Sequence, residues 1–183
     1  MIGEEGGWIE SENNLDQEGH AWVFDEAKVF DCAYVYGDAC IDDDAEVYGN
    51  AQVFGDAEVY GKAHITDHAI VYGNAQVCGD AFIKGNSEIY DRVQVFDNAN
   101  ITGYAKVYGD AIVDGESMVQ GHAEVYGKAQ ITDHANIKEY AKIFDNAVIR
   151  DQVEVRGKAK VYGNSEIGSD YKIEKDVKDQ KIK

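Results

Sequence analysis

Every sixth residue from Val23 to Ile173 is Val or Ile, at 26 consecutive positions without an exception. The residue two places before each of them is Ala at 20 of the 26 positions, and Tyr171 is the one bulky exception. Buried residues that alternate with polar or aromatic ones indicate a short strand with one buried face. Gly, Asp, Asn or Lys often follows at the second and third places after the aliphatic residue, as in Gly55-Asp56 and Gly73-Asn74. Gly, Asp and Asn tolerate the positive φ of a sharp corner. A strand and a corner repeated without interruption predict an all-β solenoid.

A longer period gives the number of sides. The residue after the aliphatic one is aromatic at eight positions spaced by 18, which we call the aromatic ridge: Tyr36, Phe54, Tyr72, Tyr90, Tyr108, Tyr126, Phe144 and Tyr162. Because 18 residues are three hexapeptides, we expect three strands per turn and a triangular prism. About nine turns without an inserted loop, at ~4.8 Å per turn, predict a rod about 40 Å long.

The pattern divides the chain into three parts. We expect an N-terminal cap at residues 1–22, a β-helix at 23–171, and a C-terminal cap or tail at 172–183. Four apolar residues are expected to cover the first end: Trp8, Ile9, Leu15 and Trp22. At the other end Tyr171 replaces the small residue, and the pattern degrades there.

The net charge is −18, with −6 in residues 1–22, −14 in 23–171 and +2 in 172–183. Wrapping the chain on 18 residues gathers acids at one corner, interrupted by Lys62 and Arg150. We call them the acidic ridge: Asp25, Glu26, Asp42, Asp43, Asp44, Asp80, Asp97, Asp114, Glu116, Asp133, Asp151 and Asp170. This charge argues against direct nucleic-acid binding, which needs cationic contacts to phosphate. The ridge either keeps the protein in solution or imitates a nucleic-acid backbone.

The aromatic ridge also has two interpretations. By strand alternation its rings point outward beside a corner, where stacked rings can shield one another and stiffen the coil. A long apolar strip is equally a surface for a partner or for a two-fold homodimer. The sequence leaves both open.

The hexapeptide pattern resembles the left-handed parallel β-helix of the hexapeptide-repeat superfamily, which includes acyltransferases and γ-carbonic anhydrases. Left-handedness is implied by this resemblance alone. The stretch Gly6-Gly7-Trp8-Ile9-Glu10-Ser11-Glu12-Asn13-Asn14-Leu15 resembles the cap of a bacterial and phage subgroup. The resemblance implies that an active member would use a histidine as general base, or three histidines from two subunits to hold zinc.

No active site emerges from the histidines His20, His64, His68, His122 and His134. His68 and His122 share a corner but lie three turns apart, about 14 Å by strand spacing, too far for one metal. No hexapeptide from 23 to 173 gains or loses a residue, so no catalytic loop is expected. The sequence therefore predicts no catalytic residue, no metal site and no cofactor, although an intersubunit metal site stays open.

Three cysteines, Cys32, Cys40 and Cys78, fall on different surfaces or turns, so no disulfide is expected. No apolar run is long enough to span a membrane, and the first residues do not resemble a signal segment. These features favour a reducing, cytoplasmic setting.

The leading hypothesis is a non-enzymatic acidic β-helix that binds a protein. It would act as an inhibitor of bacterial or phage origin, whose acidic ridge occupies the basic groove of a nuclease or DNA-binding protein, as in anti-restriction or anti-CRISPR action. The second hypothesis is a trimeric acyltransferase that uses acyl-CoA. The third is a structural spacer or phage-particle component assembled through the aromatic ridge.

Overall fold

The computed structural model describes residues 6–182, and it confirms a three-sided, all-β solenoid with 18 residues per turn. Three parallel sheets form the sides of the prism, and their strands are numbered in chain order. Sheet A contains β1 (Trp8–Ile9), β3 (Lys28–Val29), β6 (Glu46–Val47), β9 (His64–Ile65), β12 (Phe82–Ile83), β15 (Asn100–Ile101), β18 (Met118–Val119), β21 (Asn136–Ile137), β24 (Glu154–Val155) and β27 (Lys172–Ile173). Sheet B contains β4 (Tyr34–Val35), β7 (Gln52–Val53), β10 (Ile70–Val71), β13 (Glu88–Ile89), β16 (Lys106–Val107), β19 (Glu124–Val125), β22 (Lys142–Ile143), β25 (Lys160–Tyr162) and β28 (Val177–Lys178). Sheet C contains β2 (Trp22–Val23), β5 (Cys40–Ile41), β8 (Glu58–Val59), β11 (Gln76–Val77), β14 (Gln94–Val95), β17 (Ile112–Val113), β20 (Gln130–Ile131), β23 (Val148–Ile149), β26 (Glu166–Ile167) and β29 (Lys181–Ile182).

The register between turns is constant. Ile83 pairs with Ile65 below it and Ile101 above it, 18 residues away in each direction. Consecutive strands begin six residues apart from β2 to β27, and the spacing shortens only in the tail, at β28 and β29. The regular strands are two residues long, or three in β25. The hydrogen bonds nevertheless continue beyond them, because the amide of Phe24 donates to the carbonyl of Ile41 at 2.7 Å.

On each side of the prism, the core consists of two inward-facing columns, one of Val or Ile and one of Ala, as the sequence predicts. The Val and Ile residues at every sixth position and the Ala residues before them are almost fully buried. Ser87 and Ser165 replace Ala without an unsatisfied hydroxyl, since they donate to the carbonyls of Lys84 and Tyr162 at 2.9 and 2.7 Å. Each fully buried Val or Ile contributes on the order of 1.5–3 kcal/mol of burial free energy.

Many corners are held by aspartates. Asp43, Asp67 and Asp133 have φ between 57° and 58°, in the left-handed region. Their carboxylates accept the backbone N–H of the residue 18 positions later, at 2.9–3.1 Å. The acid therefore links one turn to the next at the corner, which compensates for an unfavourable φ.

The chain also folds over both ends of the prism. Ile9 and Leu15 pack against the core at the first end, whereas Trp8, which was expected to cover that end, is 52% exposed. The register explains the difference: Ile9 pairs with the inward-facing Val29, so Trp8 points outward beside Lys28. At the other end Ile173 is buried, and Val177 and Ile182 are half-buried against the core.

Candidate functional site

The acidic ridge lies at the corner between sheets C and A. Each of its acids follows a sheet C strand and precedes a sheet A strand, so the ridge runs along one edge of the rod. Successive turns are separated by about 4.8 Å. Most of these side chains are exposed, and Asp42 and Asp114 are half-buried.

Within residues 6–182, no Lys or Arg nitrogen lies within 4.0 Å of a carboxylate of the acidic ridge. The lysines and arginines that form ion pairs contact acids elsewhere: Glu46, Glu88, Asp110, Glu124, Glu154, Glu166 and Glu174. Glu116 has a neighbour in His134, whose Nδ1 is 3.3 Å away. Most acids on the sheet faces are therefore locally neutralised, whereas the ridge keeps most of its negative charge, as do Asp38, Asp56, Asp91 and Asp145 at the aromatic corner.

Some ridge acids stabilise the coil as well. Asp43, Asp133 and Asp151 accept backbone N–H groups of the next turn. These bonds have an electrostatic consequence: the N–H of Asp151 and the hydroxyl of Thr132 hold the pKa of Asp133 below its usual value. Part of the ridge is therefore explained by corner geometry.

The opposite shift occurs at the middle of the ridge. Partial burial raises the pKa of Asp114, and the neighbouring carboxylates of Asp97 and Asp133 raise it further. Like charges on adjacent turns thus repel one another here, as expected for a ridge without cations.

The ridge is densest near the first end of the rod. A cleft of about 770 Å³ there is lined by Trp8, Lys28, four acids and two glycines: Asp25, Glu26, Asp43, Asp44, Gly6 and Gly7. Carboxylate oxygens of Asp25, Asp42 and Asp43 lie within 4.8 Å of one another, a spacing at which they could hold a cation. Exposed acids often gather in this way without binding an ion, so the cluster alone does not define a metal site.

The aromatic ridge forms a continuous stack between sheets B and C. Its eight rings follow one another with centroids 4.6–5.0 Å apart and planes inclined by at most 12°. Tyr34 stacks on Tyr36 at 4.9 Å, and the Lys178 ammonium lies 5.8 Å from the centre of the Tyr162 ring. The rings thus pack against one another along the whole ridge.

Stacking removes ring surface from water. All eight rings are half-buried, and desolvation raises the pKa of Tyr36, Tyr72, Tyr90 and Tyr126. At Tyr108, in the middle of the stack, the pKa reaches about 12. The packing agrees with a stiffening role, and the partner or homodimer surface predicted for this ridge stays a prediction.

The histidines are separated from one another. His20, His68, His122 and His134 are exposed, and His64 is half-buried with its Nδ1 3.5 Å from Glu46. In the described part of the chain, the one group of three or more His, Cys, Asp or Glu residues close enough to share a metal ion is the acidic trio near the first end. Cys32, Cys40 and Cys78 are free thiols.

The sequence does not predict a shorter aromatic stack that the structure contains at another corner. His122 lies between Tyr104 and Tyr140 at the corner of sheets A and B, with both centroid distances 4.9 Å. The two tyrosines are 55% and 54% exposed. The two tyrosines are 36 residues apart in one 18-residue column, which could have revealed them, but the column also contains Cys, Asn, His and Lys, so it gives no continuous aromatic pattern.

Nothing helical in residues 6–182 has the length and apolar character that a membrane crossing requires. No protein-family model matches the chain, and neither does any curated protein sequence.

Proposed function

We propose that this protein is a non-enzymatic inhibitor that binds a protein with a basic nucleic-acid groove through its acidic ridge. The observation that carries the proposal is the absence of Lys or Arg within 4.0 Å of the ridge carboxylates in residues 6–182, although acids on the sheet faces have such partners. Asp38 and Asp56 at the aromatic corner also lack such partners in residues 6–182, so the ridge is distinguished by the number of acids that it gathers along one edge.

The spacing of the charges supports the proposal. DNA carries one charge per ~1.7 Å of axis, so about two dozen phosphate charges lie along 40 Å. Residues 1–171 carry a net charge of −20, which is of the same order. The first two turns of the ridge, Asp25–Glu26 and Asp42–Asp44, place five acids within one turn spacing of about 4.8 Å.

Rigidity favours the same function. Parallel sheets pair every turn with its neighbours, and the carboxylate of Asp43 is fixed by the N–H of Gly61 at 2.9 Å. A surface already in its binding conformation loses little entropy on association. Complementary charge also accelerates encounter with a basic groove and makes binding strongly dependent on salt.

We also propose that the coil is left-handed and related to the hexapeptide-repeat superfamily, in its bacterial and phage subgroup. The 18-residue turn with Val or Ile and Ala inside supports this kinship. A cytoplasmic location belongs to the same proposal, and the three free thiols are compatible with it. An experimental structure would test the handedness directly.

The function is tested by competition. A panel of purified nucleases and DNA-binding proteins with basic grooves is loaded with a labelled DNA duplex of about 12 base pairs, the length that covers 40 Å. The protein should displace the duplex from at least one of them, with an affinity that falls as salt rises. If the protein displaces DNA from none of these proteins, even at low salt, the proposal is contradicted.

A charge-reversed variant locates the surface. Glu26→Lys, Asp44→Lys and Asp80→Lys are suited to this, because these ridge carboxylates form no side-chain hydrogen bond within residues 6–182, unlike Asp43. The control reverses three exposed acids off the ridge, Glu12, Asp38 and Asp56, with the same change in net charge. Loss of competition should be much larger in the first variant; equal losses would mean that total charge, not the ridge, is responsible.

A further inference from the structure

Near the exposed stack at the corner of sheets A and B, the adjoining sheet A strand carries another exposed apolar side chain, Met118, with Gln120 between it and His122 in the sequence. Six large apolar side chains are exposed in residues 6–182, and three of them are Tyr104, Met118 and Tyr140. Met118 lies in the same turn as His122, whose ring is between the two tyrosines. We call these four residues the tyrosine patch. Nothing in the coil requires it, because other turns have Asn, Cys, His or Lys where the two tyrosines stand.

The patch is symmetric about the turn that contains His122. Along the corner the order is Tyr104, His122, Tyr140, and along the adjoining strands of sheet A it is Asn100, Met118, Asn136. Direct pairing places Asn100 and Asn136 on either side of Met118, one turn away in each direction. Reversing the direction of the rod therefore leaves both columns nearly unchanged, although the column between them, Thr102, Gln120 and Lys138, does change. In an antiparallel pair of rods these two columns would meet like residues of the other copy, which is compatible with the reciprocal contacts of a two-fold interface.

The charges of this corner permit two copies to meet, although each carries −18 overall. In the five turns from Lys84 to Lys158, the corner contains four bases and one acid, so its net charge is +3. The flanking cations are compensated within the chain: Lys138 pairs with Glu154 at 2.9 Å, and Arg156 pairs with Glu154 and Glu174. With Glu154 and Glu174 counted, the net charge of the corner is +1, so two copies repel one another far less there than at their acidic ridges.

The stacking also restricts how a partner can bind. With centroids 4.9 Å apart, no ring or sugar fits between Tyr104, His122 and Tyr140, because their facing surfaces already touch. What projects outward are ring edges and the Tyr hydroxyls, which suit a flat protein surface with its own edges and hydroxyls.

From the symmetry, the exposure and the charge of the tyrosine patch, we propose that a second copy of this chain docks on it. The two rods lie antiparallel, with Tyr104 of one copy facing Tyr140 of the other and the two His122 residues at the two-fold axis. This dimer is independent of the acidic ridge, which lies at a different corner and stays open to another protein.

The size of the patch sets the strength of the dimer. Four side chains that each cover roughly 100 Å², about half of a buried aromatic residue, give on the order of 800 Å² over both copies. This is below the ~1,200–2,000 Å² of a stable interface. We therefore expect a reversible dimer with a Kd between about 1 μM and 1 mM.

Sedimentation velocity over a concentration series tests self-association. Added salt should strengthen the dimer, because it screens repulsion between two chains of charge −18. Salt should weaken binding of a basic partner by the acidic ridge, so the two proposals fail independently.

The double variant Tyr104→Asp, Tyr140→Asp should raise the Kd of the dimer at least tenfold. The control variant Tyr171→Asp, on a side chain that is 49% exposed outside the patch, should leave the Kd unchanged. Circular dichroism verifies that each variant folds.

Cross-linking tests the geometry in a background where Cys32, Cys40 and Cys78 are replaced by Ser. His122→Cys should form a disulfide-linked dimer by itself. Tyr104→Cys should cross-link with Tyr140→Cys in a mixture, but poorly with itself, because two turns, about 10 Å along the rod, separate the equivalent positions. A protein that remains monomeric at millimolar concentration, or a Tyr104→Cys chain that cross-links efficiently with itself, would overturn the proposal.

Discussion

The rings of Tyr108 and Tyr126 lie 4.8 Å apart and only 3° from parallel, although 18 residues separate them in the chain. Tyr108 is also stacked on Tyr90 at 5.0 Å, so both of its faces are covered. The aromatic ridge thus transmits contacts from turn to turn on the outside of the prism, parallel to the aliphatic columns inside.

Removing the central ring should therefore destabilise the coil. Tyr108→Ala breaks two stacked pairs, each contributing about 0.5–1.5 kcal/mol beyond area burial, so we expect a loss of about 1–3 kcal/mol. Tyr108→Phe keeps the stack and should lose less than about 1 kcal/mol. Calorimetric Tm values give the comparison, with Tyr171→Ala as the control on an unstacked, exposed ring. An equal loss in Tyr108→Ala and Tyr171→Ala would show that the stack does not stabilise the fold.

The same residue predicts alkaline sensitivity. The pKa of Tyr108 is raised from 10.0 to about 12 by desolvation, with Glu124 and the neighbouring tyrosines adding to the shift. A tyrosine whose pKa rises on folding stabilises the folded state fully below pH 10. That contribution is lost as the pH rises through about 12. Tyrosinate absorbance, compared between the natural protein and Tyr108→Phe, should show that Tyr108 ionises at about pH 12. Tyr108→Phe should unfold at higher pH than the natural protein, and an unchanged or lower unfolding pH would argue against this explanation.

Acid should destabilise the folded protein in part through Asp133. Its pKa is lowered by the N–H of Asp151 and the hydroxyl of Thr132, so its stabilising contribution is present above the ordinary value of 3.8 and is lost as the pH falls below it. Asp133→Asn keeps an acceptor but removes the charge, and should lower stability at neutral pH by up to about 1 kcal/mol, since the site is exposed. The difference in Tm between the two proteins should disappear near pH 2. A difference that persists in acid would assign the effect to shape rather than charge.

Two glycines provide a matched test of corner packing. Gly79 and Gly157 both have φ of +71°, but a Cβ on Gly79 would lie 2.7 Å from the backbone nitrogen of Asp97, whereas a Cβ on Gly157 would meet nothing within 4 Å. Both alanine variants incur the left-handed φ cost of about 1–2 kcal/mol. Only Gly79→Ala adds a steric conflict with the next turn, so its Tm should fall further. Equal losses would mean that the turns can separate to accommodate a methyl group.

The fold could be predicted almost entirely from the chain because its contacts repeat at a fixed interval. A period of six with Val or Ile inward, and a period of 18 in the ring column from Tyr36 to Tyr162, specify the three sides and the residue above each residue. The prediction that Trp8 covers the first end of the rod was wrong. The orientation of its side chain depends on the register of β1 against β3, and the repeat does not extend to that segment.

The residues of the acidic ridge could also be predicted as a set, but the different roles of these residues could not. The sequence places Asp43 and Asp44 together at one corner, and the structure separates them. Asp43 has a φ of 57° and binds the N–H of Gly61, while Asp44 makes no side-chain hydrogen bond within residues 6–182. Which acids stabilise the coil depends on local φ and on the distance to the next turn, and neither can be read from composition.

The sequence by itself determined the architecture, the inner columns, the position of both ridges and the overall charge, because each follows from residue type and a constant period. Only the tertiary structure decided which charges are neutralised and which rings are covered. Within residues 6–182, Glu88 has Lys106 as an ion-pair partner and the ridge acids have no Lys or Arg within 4.0 Å, and Tyr108 is covered on both faces while Tyr104 stays exposed. These outcomes depend on side-chain distances between turns, which the repeat brings close together without specifying how each pair is arranged.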